Sequence, residues 1–294
     1  MAFLFILFRS FTFIVSRIPF PVIYFLADLL RFILKYLVRY RRAVILKNLS
    51  ASFPEKSPSE IRRIMDRYYR NLADIILEVI KLETIGRESL KKRFSFTGLE
   101  ILQKAFDRNQ SVIVTIGHCG NWEWMGTVLG QLLPVKGFAI VKPLSEKYFN
   151  RYVESLRHRI NPGSTIPFQH TYRVLVRNRK DFTSFNVFAA DQTPTRSDIN
   201  YWSHFLNQDT PFFTGVEKIA RSLGFAVVFI DITRTGRGRY HGDIQLITRN
   251  PDETGELEIT NTYIRMLETA IRKQPDNWLW SHRRWKFSRT GPNQ

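Results

Sequence analysis

The first 37 residues are apolar almost throughout. Phe, Leu, Ile, Val and Tyr dominate Met1 to Leu37, and single charges at Arg9, Arg17, Asp28, Arg31 and Lys35 interrupt them. No 18-residue window is free of charge, so the stretch fails the criterion for a simple spanning helix. The longest uncharged run, Ile18 to Ala27, contains Pro19 and Pro21. No small-residue cleavage site follows it, so a removed signal peptide is not expected. A helical hairpin or interfacial anchor that enters one leaflet fits better. Lys35, Arg39, Arg41, Arg42 and Lys47 come next with no acid among them, as in a basic segment held at the cytoplasmic face by anionic lipids. The alternative is a buried helical pair followed by a solvated basic loop.

Periodicity then changes twice. Ser57-Pro58-Ser59-Glu60 reads as a helix start, with Ser57 as N-cap, Pro58 at the first helical position and Glu60 closing a capping box. Ile61, Ile64, Met65, Tyr68, Tyr69, Leu72, Ile75, Ile76, Val79 and Ile80 follow at three- and four-residue spacing, which predicts an amphipathic helix of about six turns. From residue 111 short apolar runs appear instead: Ser111–Ile116, Gly137–Val141, Thr183–Ala190, Phe225–Ile232 and Asp243–Ile247. Helical patterns separate several of them, at Trp124–Leu133, Glu146–Arg159, Thr171–Arg179 and Gly215–Leu223. Alternating strands and helices predict an α/β domain around a largely parallel sheet. The expected organisation is an anchoring segment over residues 1–40 and one α/β domain over 41–294.

Composition narrows the function classes. With 44% hydrophobic and 24% charged residues in 294, the chain is neither disordered nor a polytopic membrane protein. One Cys excludes a disulfide framework and a Cys-based zinc site. The 44 Lys and Arg against 26 Asp and Glu leave a net charge of +18, which calls for an anionic partner: nucleic acid, an anionic membrane or a phosphorylated substrate. His158, His170, His204, His241 and His282 show no metal-binding spacing, and there is no Walker-type loop and no GxGxxG after a strand, so neither a metal nor another cofactor is expected.

The strongest local signal is Ile116-Gly117-His118-Cys119-Gly120-Asn121-Trp122-Glu123-Trp124, between a predicted strand and a predicted helix. Ligands of open α/β sheets bind at the carboxyl ends of strands. On one helix His118 and Glu123 would point about 140° apart, so they meet only if the chain turns between them. Gly117, Gly120 and Asn121 are residue types that allow such a turn. Glu123 would then accept from one imidazole nitrogen, leaving the other as a base toward a substrate hydroxyl. The alternative is a structural His at a strand end and a Glu favoured in a first helical turn. Cys119 is a candidate nucleophile by position, but a Cys adjacent in sequence to His usually points elsewhere.

The G-H-x-G-N-W-E string resembles the H-x4-[D/E] motif of glycerolipid-type acyltransferases, in the form of the bacterial lipid A biosynthesis (late) acyltransferases. Three more blocks are similar to that family: Asn48-Leu49 to Phe53-Pro54, Ala190-Asp191-Gln192-x-Pro194, and Trp278-Leu279-Trp280-x-His282-Arg283-Arg284-Trp285-Lys286. The resemblance implies transfer of a fatty acyl chain from acyl carrier protein to a hydroxyl of a lipid A precursor, at the cytoplasmic face of the bacterial inner membrane. It makes His118 the general base, Glu123 its orienting carboxylate and Asp191 an acid lining the site. Asn121, Lys142, Arg157, Arg159, Gln192, Arg283 and Arg284 become candidate substrate contacts. Val141-Lys142-Pro143 departs from the family's Tyr-Arg-Pro, so the charge is kept and the two-pronged fork is lost. Trp202 to Leu206 replaces an F-F-G segment, which leaves the acceptor and chain length open.

Two other functions fit less of the chain. One is the same chemistry on another lipid acceptor, such as a lysophospholipid, aminolipid or glycolipid. The other is a non-catalytic, membrane-bound scaffold or nucleic-acid binder, since Arg283, Arg284 and Lys286 beside Trp280 and Trp285 could stack on bases. Acyl carrier protein, a lipid A precursor and an anionic membrane are the expected partners; nucleic acid is not.

Overall fold

The computed structural model describes residues 2–160 and 165–289; residues 1, 161–164 and 290–294 of the two expected segments lie outside it. Helices α1 (Ala2–Arg17) and α2 (Phe20–Phe32) form a hairpin whose turn ends at Pro19, the extended N-cap of α2. A π-helical turn (Ile33–Leu37) leads to α3 (Arg42–Ser52) and then to α4 (Pro58–Lys81). Helix α4 begins with the expected capping box: Ser57 accepts from the Glu60 amide, and the Glu60 carboxylate accepts from the Ser57 amide at 2.8 Å. Its apolar face packs inward, and the hairpin lies along it.

The charges that interrupt the apolar N-terminus explain how the hairpin docks. Arg9 pairs with Glu83 at 3.2 Å, and Arg31 grips Asp66 of α4 at 2.7 and 2.8 Å, where Lys35 joins it. At the far end of α4, Lys81 donates to the carbonyls of Ser16 and Ile18, closing the open end of α1. The outer face stays apolar. Leu4, Leu7, Phe11 and Ile14 on α1, and Val22, Phe25, Leu29 and Phe32 on α2, are all exposed, Phe25 at 70%. Among the described residues no helix is long and apolar enough to cross a membrane.

The rest is an α/β layer structure. After α5 (Arg87–Lys91) come β1 (Phe94–Thr97), α6 (Leu99–Phe106), β2 (Val112–Ile116), α7 (Trp122–Leu132), β3 (Lys136–Val141), α8 (Lys147–Ile160), β4 (Thr165–Pro167), α9 (Thr171–Asn178) and β5 (Ser184–Ala189). A hairpin of β6 (Tyr201–Phe205) and β7 (Gln208–Phe212) precedes α10 (Gly215–Leu223), β8 (Ala226–Gly236), β9 (Arg239–Thr248) and α11 (Glu258–Lys273). Seven strands form one sheet in the order β1-β9-β8-β2-β5-β3-β4, parallel except for the β8–β9 pair. The expected largely parallel sheet is therefore present, made mixed by the antiparallel β8–β9 pair. Strand β2 is fully buried at its centre, the reason its sequence is a continuous apolar run rather than an alternating one.

Strands β8 and β9 reach farther than their apolar runs, to Gly236 and back to Arg239. Thr233, Arg234 and Arg237 hide that extension from a hydrophobic pattern, but the antiparallel ladder continues through Thr233–His241 and Arg234–Tyr240. Strands β1 and β4 and the β6–β7 hairpin leave no apolar pattern for a similar reason. Each is three to five residues long, too short to carry a period.

Candidate active site

Register decides what surrounds His118. Strands β2 and β5 are parallel neighbours with Ile116 opposite Ala189; two residues on, at their carboxyl ends, His118 faces Asp191. Asp191 is 2% exposed, and its Oδ1 lies 2.6 Å from His118 Nδ1. Oδ2 accepts the His118 amide at 2.9 Å and the Trp278 indole N–H at 2.6 Å. Three donors on one carboxylate favour the ionised form. Burial alone would raise the Asp191 pKa, but the His118 charge and these bonds outweigh it and hold it at about 2. For His118 burial works downward, and the Asp191 charge and hydrogen bond prevail, with Glu123 assisting, so its pKa lies above the ordinary value. An ionised Asp191 at Nδ1 requires the proton on that nitrogen and leaves Nε2 as the acceptor, 3.2 Å from the Gln192 side-chain nitrogen.

The expected hydrogen bond from His118 to Glu123 is not formed. Asp191 already occupies Nδ1, and the turn between the two residues runs another way. Gly120 has φ +54°, where a Cβ would meet Ile232 Cγ2 at 2.9 Å. Asn121 follows as N-cap of α7, its Oδ1 accepting from the Trp124 amide at 3.0 Å. Helix α7 thus starts at Trp122, whose ring meets the His118 ring edge-on at 5.0 Å, and Glu123 faces α8. There its carboxylate takes Arg157 in a two-pronged pair, 2.8 Å at Nε. Burial raises the Glu123 pKa, and the Arg157 charge and hydrogen bonds more than offset it, so the group stays ionised.

His118, Glu123, Arg157, Lys142 and Gln192 line one cavity of about 830 Å³. Its walls are apolar: Phe138, Ile140 and Val141 from β3, Val153 from α8, and Phe185, Val187 and Ala189 from alternate positions of β5. From Ala189 to Phe185 the strand spans about 13 Å. At the Phe185 end the ring fills the space over Gly137, where a Cβ would come within 2.0 Å of it. Gly126 of α7 also lines the cavity, and a Cβ there would meet nothing within 4 Å.

The other predicted contacts lie elsewhere. Asn121 is fully buried and donates to Glu78 at 2.9 Å, so its groups are used inside the protein. Arg159 turns to the end of α4, where it donates to the carbonyls of Leu82 and Ile85. Arg284 is fully buried, donating to the Pro211 carbonyl at 2.7 Å and lying 4.5 Å above the Phe212 ring. Arg283 is exposed and does not line the cavity. The C-terminal block instead braces the site. Thr193 donates to the Arg284 carbonyl at 2.6 Å, its amide bonds His282, and Asn48 donates to the carbonyls of Trp280 and His282, both at 2.9 Å. All four sequence blocks therefore converge on one place. Sequence reading missed Glu78 and Tyr240, which meet at 2.7 Å behind Asn121; the available signal was Asn71, Asp74, Glu78 and Lys81 recurring at three- and four-residue spacing, a polar stripe of α4 that the fold buries.

Among the described residues no group of three or more His, Cys, Asp or Glu could hold a metal ion. Cys119 is buried, and burial and Asp191 push its thiol well above its ordinary pKa, which leaves it a poor nucleophile. An imidazole with an ion-paired carboxylate, a second ion pair and a largely apolar cavity thus meet at the carboxyl ends of β2 and β5. The chain belongs to the bacterial lipid A biosynthesis acyltransferase family, whose profile matches residues 1–287. A lipid A biosynthesis palmitoleoyltransferase of Escherichia coli (strain K12) is 24% identical over 277 residues, 94% of this chain and 88% of the relative. The lipid A biosynthesis acyltransferase 2 of Shigella flexneri is 35% identical over 97 residues, 33% of this chain and 29% of its own. The lipid A biosynthesis myristoyltransferase of E. coli (strain K12) is 33% identical over 78 residues, 26% and 24% of the two chains. The protein is an acyltransferase, which sets aside the non-catalytic reading.

Proposed function

We propose that this acyltransferase moves a fatty acyl chain from acyl carrier protein to a hydroxyl of a lipid A precursor, at the cytoplasmic face of the inner membrane. The observation that carries the reading is the Asp191–His118 pair opening onto a long apolar cavity. In this step His118 Nε2 takes the proton of the acceptor hydroxyl, whose oxygen attacks the thioester carbonyl. The tetrahedral oxyanion collapses, the C–S bond breaks, and the imidazolium returns its proton to the leaving thiolate. Asp191 holds the tautomer and stabilises the imidazolium, a contribution on the order of 10²- to 10⁴-fold. Glu123 does not orient the base in this scheme; it holds Arg157 so that a fixed positive charge faces the developing oxyanion. The step uses no metal or organic cofactor. The acyl chain lies along β5 toward Phe185.

The hairpin of residues 1–40 serves as a monotopic anchor, with its exposed Phe and Leu face in the acyl region and the +18 charge drawn to anionic headgroups, acidic carrier protein and a phosphorylated acceptor. Residues 41–294 form the catalytic part. A different lipid acceptor remains the second reading, favoured by Trp202 to Leu206 in place of the family's F-F-G.

The test is twofold. Mass spectrometry of lipid A from cells with and without the gene is expected to show one acyl chain missing in its absence; an unchanged pattern refutes the acceptor. Purified His118→Ala is expected to lose transfer from an acyl-carrier-protein thioester while keeping its unfolding midpoint; normal transfer refutes the base.

A further inference from the structure

Behind the active site lies a buried carboxylate that the chemistry does not use. Glu78 sits on α4 with no solvent exposure. Its Oε2 accepts from Tyr240 at 2.7 Å and from Asn121 at 2.9 Å, and its Oε1 accepts from Tyr24 of α2 at 3.1 Å. Its backbone carbonyl accepts the Trp124 indole N–H at 3.0 Å. Asn121 and Trp124 are the N-cap and the third residue of α7, so Glu78 holds the start of the helix between His118 and the Glu123–Arg157 pair.

The third ligand of Glu78 comes from the hairpin, which otherwise shows an apolar face outward. Phe20 of α2 also packs edge-on against Trp124 at 6.2 Å. The β8–β9 turn clamps this helix in place. Arg237 donates to the Tyr24 carbonyl at 3.0 Å and to Asp28 at 2.8 Å, while holding Asp74 of α4 at 2.7 Å. Gly238, at φ +68°, lies so close to the Tyr24 hydroxyl that a Cβ would overlap it. One face of α2 thus reaches the N-cap of the catalytic helix through a single buried side chain, while Val22, Phe25 and Leu29 face out.

We propose that Glu78 is a positioning residue for acyl transfer and that α2, through Tyr24, is part of the apparatus that orders the Gly120-to-Trp124 turn. The hairpin then does more than hold the chain at a surface: docking α2 and setting the site are one event. Loop order can be read without substrate; the effect on turnover rests on the acyl-transfer reading above.

The experiment uses the full chain in detergent micelles, comparing wild type, Tyr24→Phe, Glu78→Gln and Phe25→Ser. Tyr24→Phe keeps the ring against Phe20 and removes one hydroxyl. Amide hydrogen exchange over residues 118–125 is expected to speed up by about 3- to 10-fold in Tyr24→Phe, the scale of one buried hydrogen bond. Glu78→Gln is expected to do more, and Phe25→Ser, on the outward face, is expected to leave exchange there unchanged. With an acyl-carrier-protein thioester, Tyr24→Phe is expected to lower kcat by a similar factor while amide exchange in β2 and β8 stays at the wild-type rate; general destabilisation would speed exchange there as well. Wild-type exchange in both Tyr24→Phe and Glu78→Gln would overturn the proposal. Faster exchange with unchanged kcat would overturn the positioning role. A wild-type chain that turns over no thioester would refute the acyl-transfer reading instead, and exchange alone would then decide whether α2 orders the loop.

Discussion

Gly126→Leu tests whether the cavity beside His118 is the acyl channel. Gly126 lies one turn beyond Glu123 on α7, lines the cavity, and has open space where a Cβ would point. Four added carbons would enter the cavity without displacing protein atoms at their root. Replacing a helix-interior Gly with Leu favours the helix by about 0.8 kcal/mol, so the unfolding midpoint is expected to rise by roughly 2 °C. The acyl chain loses what the fold gains. If the isobutyl group takes the place of two methylenes, about 1.6 kcal/mol of burial is lost, roughly 15-fold in preference between chains two carbons apart. The assay is competition between equimolar acyl-carrier-protein thioesters of neighbouring lengths, read by mass spectrometry of the product. A shift toward the shorter chain is expected. A folded variant with the wild-type length profile would refute the placement of the chain in this cavity.

Two further substitutions separate the carboxylates. Asp191→Asn removes the anion that raises the His118 pKa. Because the base works deprotonated, wild-type kcat/KM is expected to rise with pH through a value above 6.5; in the variant that limb moves to lower pH, while the plateau falls about 10²- to 10⁴-fold. A limb that stays in place refutes the pairing as the cause. Glu123→Gln is expected to move the limb to lower pH by less than Asp191→Asn does, since Glu123 only assists in raising the His118 pKa, and to lower kcat by about 10²-fold, the scale of losing one oxyanion-stabilising contact. Arg157→Lys is not expected to restore normal rates, since an ammonium cannot make the two-pronged pair with Glu123; full activity in either variant would remove the ion pair from the mechanism.

Local rules were enough for local features. The Ser57–Glu60 box starts α4 where the spacing placed it, and Gly215–Leu223 matches α10 residue for residue. The N-terminal pattern identified the apolar hairpin, but not that Arg31 and Lys35 would dock it on α4 and Arg9 on Glu83 just beyond that helix, because ion pairs dozens of residues apart leave no trace in periodicity. The same limit explains Arg159 and Arg284. As letters they are cations beside a motif; in the fold one caps carbonyls and the other is buried over Phe212.

What the sequence by itself determined was the list of chemical groups and where each lies along its own element: an imidazole at the end of β2, a carboxylate at the end of β5, a Glu at the start of α7. Which carboxylate meets the imidazole was decided by the sheet. Strands β2 and β5 are adjacent although about 70 residues separate them, and the pairing of Ile116 with Ala189 carries His118 to Asp191. Glu123 is only five residues from His118, yet the turn at Gly120 and the cap at Asn121 send it to Arg157. Spacing along the chain limits what a residue can reach; strand order and register, set by burial of the whole sheet, select among those possibilities.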